Sequence, residues 1–108
     1  MKFDTEQVFK DMLAAISGAL KQDAPNARKT IDEFLKRRKR RLETVINFRL
    51  QNQISEAEFS SRLQDEKLML EAEMEAMKAV SKAMAQKAAN AAIEVLEKAV
   101  RLAVGGLL

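Results

Sequence analysis

EAEFSSRLQDEKLMLEAEMEAMKAVSKAMAQKAANAAIEVLEKAVRLAV, residues Glu56–Val104, holds no glycine and no proline. It is dense in Ala, Met, Leu, Glu and Lys, the residues that lose least on entering a helix. The composition predicts one continuous helix over 56–104, about 73 Å long at a rise of ~1.5 Å per residue. A globule of 108 residues is far shorter than that, so such a rod must lie against something along its course. The stretch therefore predicts an assembly or interaction protein rather than a pocket with chemistry in it.

The second half of the stretch suggests what the rod lies against. From Lys78 to Arg101 the polar residues recur every three to four positions as one narrow stripe, and the rest is apolar. One ladder runs Met77, Val80, Met84, Ala88, Ala91, Val95, Ala99, Leu102. Its steps of three, four and four favour a straight or slightly right-handed rod. A second ladder, Ala89, Ile93, Leu96, Val100, Val104, runs beside it. Two seams predict two neighbours, and the alanines let those neighbours approach closely. An N-terminal helix can cover one seam, which leaves the other to a second chain. The expected oligomer interface is Val80, Met84, Ala88, Ala89, Ala91, Ile93, Val95, Leu96, Ala99 and Val100, in a homodimer or higher assembly of four-helix type. The plainer alternative folds the first helix back to make a three-helix bundle with a frayed tail, leaving Ile93, Leu96 and Val100 in water. Whether helix one is collinear with helix two or folded back is open at this level.

Two helices are predicted upstream. Asp4 and Gln7 form a capping-box-like pair before Val8, Phe9, Met12, Leu13, Ile16 and Leu20, a single apolar stripe over about 5–22. Gly18 weakens its end. Pro25 stops it, and Asn26 is the expected cap of a helix over about 27–51, with Ile31, Phe34, Leu35, Leu42, Val45, Ile46 and Leu50 on the buried side. Ser55-Glu56-Ala57-Glu58 then fits a capping box, with Ile54 as a staple to Phe59. The turn from Leu50 to Phe59 resembles that of the short helical-hairpin modules found at bacterial protein ends, the SHOCT-like x-I-[ST]-x-x-E-F pattern. A glycine usually precedes the Ile there, and Gln53 stands near that place here. The resemblance covers a turn and implies no function. Helices two and three are expected to form a long antiparallel hairpin, with the N-terminal helix added, in one all-α domain over 1–108.

Charge points the same way. Lys36, Arg37, Arg38, Lys39, Arg40 and Arg41 are six consecutive cations, whereas Glu56–Glu75 holds seven acids and two bases. Folding the chain about Ser55 sets Arg38 near Glu71, Lys36 near Glu73 and Phe34 near Glu75. A zipper of such pairs fixes register, though each exposed pair contributes only ~0.2–1 kcal/mol. The alternative is an anion-binding role for Lys36–Arg41, toward nucleic acid or an acidic membrane surface. Against it, six successive helical residues point all round the axis. Without the hexamer the chain is net negative, so no wider basic field exists.

Composition narrows the remaining classes. The chain is 47% hydrophobic and 32% charged, neither disordered nor membrane-spanning in character. With no Cys, His, Trp or Tyr it offers no disulfide, and general acid–base work would fall to Asp, Glu or Lys. Glu71, Glu73 and Glu75 are spaced by two and spread around a helix, so no metal site, catalytic residue or cofactor is expected. The amphipathic segment Ala83–Leu108 lacks the aromatics of an interfacial helix, which favours a protein seam over lipid. The N-terminus lacks an apolar signal region, and a cytoplasmic location is expected. Gly105-Gly106 is a natural stop, leaving Leu107-Leu108 as a tail or the start of further chain. The expected role is a small structural or adaptor protein, not an enzyme. Its partner is expected to be itself or another helical protein, with nucleic acid or acidic lipid as the alternative.

Overall fold

The Ala-rich half of the long stretch turns back instead of running on. The computed structural model describes residues 3–20, 25–77 and 80–105, with side chains of the second helix from residue 29 onward. It contains α1 (Thr5–Leu20), α2 (Pro25–Leu50), α3 (Glu56–Glu75) and α4 (Lys82–Gly105), a four-helix all-α bundle. Its extents are 43 × 23 × 20 Å, which no 73 Å rod could satisfy. The single helix expected over 56–104 is therefore two. Ala76, Met77, Val80 and Ser81 lie outside both helices, and Lys78 and Ala79 fall outside the described residues.

Both ends of the break are satisfied without glycine or proline. The Met77 N–H donates to the Met74 carbonyl at 3.0 Å, closing α3 with a tight turn. Ser81 caps α4, its hydroxyl accepting from the Met84 N–H at 3.2 Å. Val80 ahead of the cap and Ala85 inside the helix are both buried, the placement of a hydrophobic staple. Energetics explain the turn. A few more helical hydrogen bonds would contribute only ~0.5–1.5 kcal/mol each. Burying Ile93, Leu96 and Val100 within the same chain contributes ~1.5–3 kcal/mol each. Burial wins.

The most extensive helix interface is α1 against α4, followed by α3 on α4. Val8, Met12, Ile16 and Leu20 of α1 join Ala85, Ala88, Ala89 and Ala92 of α4 in one core, and the four alanines have no exposed surface. Residues without bulk let two helix axes approach closely. This corrects the expectation that a second chain is needed. Val80, Ala88, Ala89, Ile93, Leu96 and Val100 are buried inside one chain, while Met84, Ala91, Val95 and Ala99 are half-buried.

The helix ends follow local chemistry. An Asp4 carboxylate oxygen accepts from the Gln7 N–H at 3.1 Å. The expected end of helix one at residue 22 lies outside the described residues, as do Asp23, Ala24 and Gly106–Leu108. The α2 helix starts on Pro25, ahead of the expected Asn26 cap. Proline suits a first turn, where its missing N–H would have no helical partner. At the other end Asn52 takes φ 59°, while the Gln53 N–H reaches the Phe48 carbonyl at 2.7 Å and the Asn52 N–H reaches Arg49 at 3.0 Å. That is a Schellman stop with Asn in the left-handed position. The Ser55 hydroxyl then accepts from the Glu58 N–H at 3.0 Å and starts α3.

Candidate interaction surface

The basic run sits in the middle of α2, and helical geometry divides it. Ile31, Phe34, Leu35, Leu42, Val45 and Ile46 face the core. Positions 38 and 39 flank that face and are half-buried, whereas Lys36, Arg37, Arg40 and Arg41 are exposed on the outward side. The run is thus two inward cations and a solvent-facing strip of four.

The inward pair ties α2 to both neighbours. Arg38 forks onto Glu66 of α3, its Nη2 donating at 2.7 Å to one carboxylate oxygen and its Nε at 3.1 Å to the other. The Glu66 side chain is only 7% exposed, and Arg41 adds a contact to it at 3.2 Å. Hydrogen bonding to Glu66 raises the Arg38 pKa above its already high ordinary value, against the opposing pull of burial. Lys39 pairs with Glu6 of α1. On the outward strip Lys36 pairs with Asp32 at 3.0 Å and Arg37 with Glu73 at 3.4 Å, with Arg37 also 5.9 Å from the Phe34 ring centre. Arg40 has no acidic partner among the described residues.

The facing pairs expected from the sequence shift in detail. Arg38 meets Glu66 rather than Glu71, and Glu73 meets Arg37 rather than Lys36. Glu66 was legible. It is the one charged residue on the stripe Phe59, Leu63, Glu66, Leu70, Met74, where every other side chain is apolar.

Beside the strip, α2 and α3 enclose a cleft of about 410 Å³ lined by Arg41, Thr44, Val45, Arg62, Asp65 and Glu66. Phe48 and Met69, 37% and 38% exposed, lie one helical turn beyond it on α2 and α3, and Leu68 beside Met69 is 58% exposed. A larger cleft of about 550 Å³ lies between the start of α3 and the end of α4. There Arg101 is shared between Glu56 at 3.6 Å and Glu97 at 4.0 Å. Ser60 lines it without a neighbouring imidazole or thiolate to activate it. Among the described residues no three acids gather closely enough to hold a metal ion, and no helix is long and apolar enough to cross a membrane.

The chain matches no protein-family model, and neither the curated proteins nor the solved structures contain a significantly similar chain.

Proposed function

We propose that this protein is a non-enzymatic helical interaction module, an adaptor working in the cytoplasm, that presents the outer face of its α2–α3 pair to another protein or to a second copy of itself. One observation carries the reading. Of the four large apolar side chains left exposed among the described residues, Phe48, Leu68, Met69 and Leu102, three lie on α2 and α3. Apolar groups beside charged ones on a helix pair are the usual anchors of helix-in-groove recognition. The Ala-rich seam on α4 is occupied by α1, so self-association, where it occurs, would use the same α2–α3 face.

A second reading has its own support. The exposed strip Lys36, Arg37, Arg40, Arg41 concentrates positive charge on one side of α2, as an anion-binding role for nucleic acid or acidic lipid requires. Photo-crosslinking in the native cell separates the two. A photoreactive residue at position 48 or 69 is expected to give discrete protein adducts, and one at exposed Ala14 on α1 is not. Adducts of twice the chain mass would identify a second copy as the partner. Absence of protein adducts at both positions, with nucleic acid captured instead, would contradict the reading.

A further inference from the structure

We propose that the outward strip of α2 and the α2–α3 groove beside it bind an acidic amphipathic helix of a partner protein. The proposal rests on the interaction-module reading and names the chemistry of its occupant. Charge is the first argument. Arg40 has no acidic partner among the described residues, and Arg38 and Arg41 share the single carboxylate of Glu66. Set against Asp32, Glu66 and Glu73, the cations Lys36, Arg37, Arg38, Arg40 and Arg41 keep an excess of two, centred on Arg40, with Glu33 exposed at one end of the strip.

Width is the second argument. Acids border the strip on both sides, Glu6 reaching Lys39 from α1 and Glu73 reaching Arg37 from α3, with Glu43 further along and Asp65 in the lining of the groove with Arg41 and Arg62. The positive surface is one helix face wide. A single acidic helix, about 10–12 Å across, fits on it. A duplex brings two phosphate backbones, and a lipid surface a continuous sheet of headgroups, so either presses like charges against the bordering acids.

The apolar anchors are the third argument. Phe48 and Met69 bracket the 410 Å³ cleft, where they meet the apolar stripe of an amphipathic helix while its carboxylates turn toward Arg37, Arg40 and Arg41. Arginine forks match carboxylates with two parallel hydrogen bonds.

Fluorescence anisotropy with the intact chain tests this, using a labelled synthetic helix with Leu along one face and Glu elsewhere. The expected result is micromolar binding that weakens about tenfold between ~50 and ~300 mM salt. The same peptide with Lys in place of Glu is expected not to bind. Arg40→Glu and Phe48→Ala, both at exposed positions, are each expected to weaken binding about fivefold or more, and Lys98→Glu on α4 to leave it unchanged. The proposal is overturned if the Glu peptide fails to bind at low salt, or if its affinity survives both substitutions. Displacement of the peptide by a tighter-binding RNA strand, DNA duplex or acidic vesicle would overturn it in favour of a polyanion. Protein adducts at positions 48 and 69 without Glu-peptide binding would remove this occupant and leave the interaction-module reading standing.

Discussion

Glu66 is the one charged residue buried among the described residues, and it is held by an arginine fork rather than tolerated. Taking a carboxylate out of water costs several kcal/mol unless its charge and lone pairs are matched. Arg38 and Arg41 supply the match from α2, so the α2–α3 interface carries a polar pin among apolar contacts. A pin of this kind fixes register, because sliding either helix by a turn strands the charge. Glu66→Ala is expected to lower stability by about 2 kcal/mol, less than the ~3–5 kcal/mol for a fully buried pair, since Arg38 is still 22% exposed and can reach water. Replacing both partners, Glu66→Leu with Arg38→Met, is expected to recover much of the loss. Urea midpoints at unchanged m-value check both, and an unaltered Glu66→Ala midpoint would contradict the role given to the pin. The exposed Arg37–Glu73 pair, by contrast, contributes at most ~1 kcal/mol.

Element by element, the sequence was most legible where local chemistry and burial agree. The stripe Val8, Phe9, Met12, Ile16, Leu20 is the buried face of α1, and Ser55 caps α3 through the Glu58 N–H. The break before α4 was not legible, because Ala, Met, Lys and Glu on both sides favour helix and neither glycine nor proline marks the site. Serine occurs within helices as well as at their starts, so Ser81 alone does not announce a cap. What settled the break was a tertiary gain, the burial of Ile93, Leu96 and Val100, which periodicity records as a seam without saying whose surface fills it. The basic strip was half legible: the hexamer is evident, but which four residues face outward depends on the phase of α2 against the core. Two substitutions of opposite sign test the element boundaries. Ser81→Ala removes the α4 cap and is expected to cost about 1 kcal/mol. Gly18→Ala, exposed on α1 with nothing within 4 Å of the added carbon, is expected to gain ~0.5–1 kcal/mol. Thermal or urea unfolding reads both, and a neutral Ser81→Ala would place the start of α4 elsewhere.

For the whole molecule, the central claim is that α4 folds back over α1 and α3 within one chain, so that its Ala-rich face serves the core. The radius of gyration of 13.8 Å belongs to a bundle of this kind and not to paired rods. Arg101 at the end of α4 comes within 3.6 Å of Glu56 at the start of α3. One uninterrupted helix would hold those two positions about 68 Å apart, at ~1.5 Å per residue. The chain has no cysteine, so Glu56→Cys with Arg101→Cys creates the only two thiols. Treated at low protein concentration with a short thiol-specific cross-linker, the double variant is predicted to close within one chain, giving a single species of monomer mass with both thiols consumed. Cross-links found only between chains, at twice that mass, would contradict the bundle and restore the rod.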